Sequence, residues 1–422
     1  MKDNVLSIPI DWAKGFGARM VDAPLFELRR LTLFLGIMAL PFGHLLGTLF
    51  FLITALLGVR EIGWRVRGLA VSLCLPFAAA YGLILGAELL SPNPVGDTLE
   101  TAFNYLPLLL LPVVFAVAWR SGVDSMKICV VVLVTSVLMA TMALAEVFVF
   151  GQSAADGNVI DAISIAPAEF ALVAFLYGLI GMKTLLLNKE PMVNAVPWPF
   201  VVLGLFSCLL CIFLTKTSVM VVPMVVVVLV GVFALAFGSR RVWIAPSILV
   251  IVVFLGVAVS SLEIVQLKYE SAFQTLAQTL AIEPREGPMA QSLSMWLAGW
   301  QMAQEQVVYG HGNIHATLVA LQEYRQPDWP VFVTGSNFKS AFVDHIVLFG
   351  AMGLAGLLMI VMAPLVVVGP PWFRQYTAII VVGTFVYALF GRFMNNDITG
   401  AVMLVVWLSL LLTQSLVGQK RR

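Results

Sequence analysis

The sequence predicts an all-α fold, a polytopic bundle of about twelve transmembrane helices with one large, partly helical loop on its outer side. Of the 422 residues, 60% are hydrophobic and 11% are charged, whereas soluble domains carry about 45–50% apolar and about 25% charged residues. The apolar residues form many separate runs of membrane length, while a membrane β-barrel shows short alternating segments. The bilayer is therefore the expected solvent of this chain.

The apolar runs define the expected spans. The run at 31–59 is too long for one helix, and Pro41 and Gly43 divide it into two short spans. The other spans are expected at residues 69–90, 106–119, 128–150, 163–187, 200–214, 219–237, 243–262, 341–367, 376–390 and 401–417.

These spans divide the chain into five segments. They are an amphipathic segment on the cytoplasmic membrane surface at 1–30, a bundle of about nine spans at 31–262, a large loop at 263–340, three further spans at 341–417 and a basic tail at 418–422.

The basic residues predict the orientation. With the amino terminus in the cytoplasm, 18 of the 24 Lys and Arg residues fall on the inner side, as the positive-inside rule requires. Both termini are then cytoplasmic. The large loop faces outward, which in a bacterium with an outer membrane is the periplasm, so the expected location is the inner membrane.

The large loop is expected to hold two short helices. Leu293, Trp296 and Trp300 share one helical face, which predicts a helix at the membrane interface that Gly310 and Gly312 end. Residues 314–324 form the second, and the turn-rich tip follows.

Cations on the outer side are candidate ligands for an anionic group, because arginine binds phosphate through two oxygens at once. The alternative for each is an ordinary anchor at the membrane boundary. The candidates are Arg392, Arg285, Arg325, Lys339 and Lys216.

Asp344 and His345 enter the apolar run at 341–367, where charge is costly and ionisable groups usually serve function. A histidine can act as a general base on a hydroxyl group, with a nearby aspartate orienting it or acting instead. The alternative is that both cap the span at the interface.

His311 and His315 are four residues apart, a spacing that can place two metal ligands on one helix face. Glu305 or Glu323 would then be a third ligand. There is no HExxH motif, however, and Gly312 weakens the helix between the histidines. We expect polar loop histidines, and neither a metal nor another cofactor.

The layout resembles the O-antigen ligase and O-antigen (exopolysaccharide) polymerase superfamily of bacterial membrane glycosyltransferases. The resemblance covers most of the chain by layout and about seventy residues by motif. The matching motifs are Trp296-(x)3-Trp300, Gly310-His311-Gly312 and Gly353-Leu354-Ala355-Gly356.

The resemblance implies a GT-C-like fold and metal-independent transfer of an undecaprenyl-diphosphate-linked oligosaccharide to an acceptor glycan or lipid at the periplasmic face. His345 with Asp344 would be the base region, and the outer cations would bind the diphosphate. His311 and Trp300 would contact the substrate. The implied partners are this lipid-linked donor, the acceptor, membrane lipids and other polysaccharide-assembly proteins, with no nucleic acid.

Departures from the family pattern favour a polymerase-like or exopolysaccharide member. Gln291 and Ser292 stand where ligases often carry arginine, and Phe342 stands at the place of the ligase histidine. The alternatives are a ligase that transfers glycan to lipid A-core, a lipid or solute transporter or flippase, and a non-catalytic scaffold. Against transport, the spans show no broken helices in matching halves and no charge at mid-span.

Overall fold

A computed structural model describes residues 23–58, 64–92, 98–148, 167–187, 196–214, 288–312, 314–325, 338, 340–367, 369–390 and 397–419. Within these ranges the chain is helical and contains no β-strand, which confirms the all-α prediction for this part of the protein. The expected spans at 219–237 and 243–262 lie outside the described residues.

Twelve α-helices are described, and three short 3-10 turns follow α1, α9 and α10. The helices are α1 (Ala23–Ala39), α2 (His44–Gly58), α3 (Trp64–Leu90), α4 (Thr98–Arg120), α5 (Ser125–Phe148), α6 (Pro167–Leu187), α7 (Trp198–Leu214), α8 (Pro288–Ala303), α9 (Ile314–Ala320), α10 (Ala341–Met362), α11 (Pro371–Phe390) and α12 (Asp397–Gln419).

Two predictions about local structure are confirmed. The first apolar run divides into α1 and α2 at the 3-10 turn Leu40–Phe42, which contains Pro41. The second short helix of the large loop is α9, extended by the 3-10 turn Leu321–Tyr324.

Two described segments, Ser125–Ala145 and Ala341–Val366, are long and apolar enough to cross a membrane. The shorter apolar helices, of 10–17 residues, are Leu45–Gly58, Leu75–Leu90, Leu106–Arg120, Trp198–Ile212 and Thr399–Ser415. These helices are what a membrane-associated protein requires, and the count of twelve spans stays a prediction.

Helix α12 is the axis of the bundle. Residues 399–413 are buried without interruption, because α12 packs against α2, α4, α5 and α6. A helix that is apolar on all sides is stable only when neighbours surround it. The Trp407 ring is 1% exposed and meets the edge of Phe77 at a centroid distance of 4.7 Å, so it joins α12 to α3.

Helix α10 runs antiparallel to α3 at close range. A Cβ atom at Gly356 would lie 2.9 Å from Cγ1 of Ile84 and 3.1 Å from the Ala80 carbonyl oxygen. Met352 lies opposite Gly86 in the same register. Small residues allow membrane helices to approach in this way.

Two arginines pair with carbonyls at helix carboxyl ends. The Nε atom of Arg29 donates to the Leu57 carbonyl at 3.0 Å, and that of Arg30 donates to the Ser121 carbonyl beyond α4. Cations stabilise helix carboxyl ends. The end of the bundle that holds Ser121 is called the Ser121 end below, and α10 begins at the opposite end, called the loop end.

We predict that Trp407→Ala lowers the free energy of unfolding by about 3–5 kcal/mol, because it leaves a large cavity beside α12. Trp198→Ala is the matched control, since the Trp198 side chain is 52% exposed. Thermal unfolding of the purified protein in detergent measures both. Equal losses in the two variants would contradict the central position of α12.

Candidate functional site

Helix α10 is broken at Gly350, which has φ 62° and ψ −153°. The span expected at 341–367 is present as the apolar segment Ala341–Val366, but its helix is not regular throughout. The break lies about 14 Å from the start of the helix. A side chain is strained at this φ, and a Cβ atom here would also lie 2.5 Å from the carbonyl carbon of Val308. Glycine is therefore required at Gly350.

A loop fills the break. We call residues 307–312 the docked loop, because four main-chain hydrogen bonds join it to α10. The amide groups of His311 and Gly312 donate to the carbonyls of Val347 and Leu348 at 2.8 and 2.9 Å. In the other direction, Ala351 and Met352 donate at 2.7 and 3.4 Å. The acceptors of these last two bonds are the carbonyls of Val307 and Val308.

These bonds explain how an apolar helix tolerates a break. A helix end leaves amide and carbonyl groups without partners in the helix, and in apolar surroundings each unpaired group costs several kcal/mol. The docked loop gives partners to four of these groups. It therefore takes the place of the helical bonds that Gly350 interrupts.

Glycine at Gly310 permits this close approach. Its φ is 68°, and a Cβ atom would lie 2.4 Å from the carbonyl oxygen of Leu348. The sequence predicted that Gly310 and Gly312 end the aromatic helix, but α8 already ends at Ala303. The glycines of the Gly310-His311-Gly312 motif instead contact α10.

The glycine at Gly353 has a comparable role on the other side of the break. A Cβ atom there would lie 2.8 Å from the His345 carbonyl oxygen and 2.2 Å from Cβ of Phe349. The two halves of α10 therefore fold closely together, and the main chain of His345 comes against Gly353, eight residues later in the sequence.

Asp344 and His345 are both 0% exposed. Oδ1 of Asp344 accepts the amide hydrogen of Phe338 at 2.9 Å. Nδ1 of His345 lies 2.7 Å from the Ala341 carbonyl oxygen. A carbonyl can only accept, so Nδ1 carries the proton, and Nε2 is the basic atom of the neutral ring.

His311 is half-buried, and its Nε2 lies 2.9 Å from the Met302 carbonyl oxygen. By the same argument Nε2 carries the proton. The amide group of His311 bonds to the carbonyl of Val347, two residues after His345. The docked loop therefore brings the main chain of one candidate histidine beside the segment that holds the other.

Helix α8 holds this arrangement in place, but its two tryptophans differ. Nε1 of Trp296 donates to the Phe338 carbonyl at 2.8 Å, whereas Trp300 is 56% exposed. The two rings of the predicted aromatic face therefore differ in role: Trp296 anchors α8 to the Phe338 carbonyl, and Trp300 is exposed. Apolar residues between α8, α9 and α10 form a second small core, namely Met295, Ala298, Met302, Ala303, Leu318, Leu321, Phe338 and Val347.

Tyr324 is partly buried and packs against this small core. Its hydroxyl donates to the Glu305 carboxylate, and this hydrogen bond, followed by burial, raises the pKa of Tyr324 to about 12. The bond joins the 3-10 turn Leu321–Tyr324 to the turn that follows α8.

Most of the predicted cationic ligands are not placed. Arg325 is half-buried directly after the 3-10 turn. Arg285, Arg392, Lys339 and Lys216 lie outside the described residues, so the diphosphate site stays a prediction. The side chain of His315 also lies outside the described set, and among the described side chains no three His, Cys, Asp or Glu residues gather as a metal site.

Some of the described buried ionisable residues were not predicted as site residues, among them Glu88 and Lys183. Glu88 is 2% exposed and follows Ala80 and Ile84 at intervals of four residues, which places it on the stripe of α3 that faces α10. The four-residue spacing from Ala80 and Ile84 could have predicted from the sequence that Glu88 lies on the same helix face as these apolar residues. Lys183 is 0% exposed within α6, although it is one of the 18 basic residues that the expected orientation counted on the inner side.

No protein-family model matches the chain, and no curated protein matches it. The resemblance to the O-antigen ligase and polymerase superfamily therefore stays a prediction.

We predict that Gly350→Ala destabilises the protein by at least about 1–3 kcal/mol, the usual cost of a strained backbone conformation. Gly82→Ala is the control, since no atom lies within 4 Å of a Cβ atom at Gly82 and alanine is the better helix former. Thermal unfolding measures the difference. A Gly350→Ala variant as stable as the Gly82→Ala variant would show that the break is dispensable.

Proposed function

We propose that the protein is a metal-independent membrane glycosyltransferase that polymerises or transfers a polyprenyl-diphosphate-linked glycan at the outer face of the inner membrane. One observation carries the proposal. The Gly310-His311-Gly312 motif and the segment from Asp344 to Gly353, on which the resemblance depends, meet through four main-chain hydrogen bonds at a break in a helix of membrane length. This places two histidines where the loop meets the apolar helix.

In this proposal His345 is the general base. The acceptor hydroxyl forms a bond to the anomeric carbon of the donor while the bond from that carbon to the diphosphate oxygen breaks. The hydroxyl proton passes to Nε2 of His345, and the lipid diphosphate leaves with the electron pair. The Ala341 carbonyl, which accepts from Nδ1, stabilises the imidazolium that forms.

The acceptor must reach a histidine that is 0% exposed. The docked loop is the segment that we propose moves aside. Its attachment to α10 consists of main-chain hydrogen bonds at the break, and a hydroxyl-rich substrate can replace these. Closure after binding would then exclude water from the reacting atoms.

The open aromatic rings beside the docked loop are proposed sugar contacts. Trp300 is 56% and Tyr309 38% exposed, and aromatic faces pack on the apolar faces of sugar rings. Arg325, together with Arg285, Lys339, Lys216 and Arg392, would stabilise the charge of the leaving diphosphate, where a water-poor setting strengthens electrostatic interactions.

Transport of a lipid or solute is the second candidate, and the break in α10 favours it. Discontinuous helices are common at the binding sites of transporters, and the sequence did not predict one here. The two candidates differ in the lipid-linked intermediates that accumulate when the gene is deleted.

The first experiment measures surface polysaccharide and lipid-linked intermediates in a deletion strain on a sizing gel. Loss of long polymer with accumulation of single lipid-linked repeat units indicates a polymerase. Full-length polymer that stays on its lipid carrier indicates a ligase. An unchanged profile contradicts glycosyl transfer. Single lipid-linked units that a membrane-impermeant glycan-modifying reagent does not reach in intact spheroplasts lie on the cytoplasmic side and indicate a flippase instead of a polymerase.

We predict that His345→Asn, expressed in that strain, reduces polymer formation by about 10²–10⁴-fold while its level in the membrane stays normal. The Asn amide keeps a donor near the Ala341 carbonyl but cannot accept the proton. Lys127→Ala, an exposed change at the Ser121 end, is the control for expression. Normal polymer from His345→Asn would exclude His345 as the base.

A further inference from the structure

Lys183 lies in α6, four residues before the helix ends, and its side chain is 0% exposed. It belongs to the Ser121 end of the bundle and has no part in the proposed glycosyl transfer. A lysine at the membrane boundary ordinarily extends its ammonium group into water. Here the ammonium group instead points into the bundle.

Four oxygen atoms surround Nζ of Lys183. It donates to Oγ of Ser125 at 2.5 Å, to the Ser409 carbonyl at 2.8 Å and to Oγ1 of Thr413 at 2.9 Å. The fourth oxygen is Oγ of Ser409. We call these four atoms the oxygen cage. They come from α5 and α12, so Lys183 joins three helices at one point.

The cage oxygens also bond to one another. Oγ of Ser125 lies 2.7 Å from Oγ1 of Thr413, which in turn donates to the Ser409 carbonyl at 2.8 Å. An ammonium group has three hydrogens, so the cage offers one acceptor more than Lys183 can fill singly.

In the oxygen cage, neutral hydroxyl and carbonyl oxygens solvate the positive charge of Lys183. Among the described residues, no carboxylate lies within 4.0 Å of Nζ. Further described neighbours include the buried Cys129 thiol, which interacts electrostatically with Lys183, and the Tyr376 ring, whose centroid lies 6.0 Å from Nζ. The Tyr376 hydroxyl donates to the Leu179 carbonyl at 3.0 Å. Neutral hydroxyl and carbonyl oxygens are the ligands with which proteins replace the hydration shell of Na⁺ and K⁺.

We propose that Ser125, Ser409 and Thr413 form a monovalent-cation site that the ammonium group of Lys183 fills as a tethered ion. The tethered ion holds the central helix α12 to α5 and α6. Because the charge is covalently attached, the bundle needs no dissolved Na⁺ or K⁺ for this connection. Removal of the lysine side chain would open the cage to such an ion.

The test measures thermal unfolding of purified wild type, Lys183→Ala and Lys183→Met in NaCl, KCl and choline chloride at equal ionic strength. We expect the wild type to unfold at one temperature in all three salts. Lys183→Ala should be destabilised in choline chloride and should regain about 5–10 °C in NaCl or KCl, because an ion that binds only the folded state stabilises it. Lys183→Met, whose apolar side chain fills the space, should regain nothing.

Two outcomes would overturn the proposal. One is a Lys183→Ala variant that unfolds at the same temperature in every salt, which would make the lysine a packing residue. The other is a Lys183→Met variant as stable as the wild type in choline chloride, which would mean that the cage requires no cation.

If Lys183→Ala does not fold, a second variant tests whether the oxygen cage stabilises the bundle. Thr413→Val keeps the side-chain volume and removes one cage oxygen, so we expect a lower unfolding temperature than in the wild type. Thr141→Val is its matched control, because the exposed Thr141 hydroxyl bonds only to the Val137 carbonyl of its own helix among the contacts described. An equal effect of the two changes would contradict the cage.

Discussion

Every main-chain amide and carbonyl in an apolar setting needs a partner, and the arrangement at the loop end depends on this constraint. Gly350 interrupts α10 within a segment long enough to cross a membrane. The docked loop supplies partners for the interrupted groups through four hydrogen bonds. Since those bonds hold loop and helix together, they also position His311 and His345 relative to each other. The same constraint that permits the break therefore builds the candidate site.

The two ends of the bundle differ in how they are held. At the Ser121 end, charged side chains bond to helix termini and to hydroxyl groups, as Arg30 does with the Ser121 carbonyl and Lys183 does with Ser409. These bonds join helices that are far apart in sequence. At the loop end, α8 and the docked loop are held by main-chain hydrogen bonds and a small apolar core.

Three glycines at the loop end allow close main-chain approaches that motif matching alone does not reveal. Gly310, Gly350 and Gly353 would each place a Cβ atom within 3 Å of main-chain atoms of another segment or turn. Gly310 and Gly353 were recognised as parts of motifs, but Gly310 was expected to end the aromatic helix, which already ends at Ala303. Gly350 belongs to no motif and looked like an ordinary glycine in an apolar run. Its φ of 62° is a property that composition does not reveal.

The sequence by itself determined the helical class, the division of the first apolar run at Pro41 and the second helix of the loop. It also showed that Asp344 and His345 stand at the start of an apolar run. Each of these features depends on residues that are close in sequence. Tertiary structure alone decided that α10 is broken, that Trp296 is an anchor while Trp300 is open, and that Lys183 points inward. Each of these depends on atoms contributed from elsewhere in the chain. The partners of Lys183 are 58 to 230 residues away in sequence, and no local pattern records a hydrogen bond over such a separation.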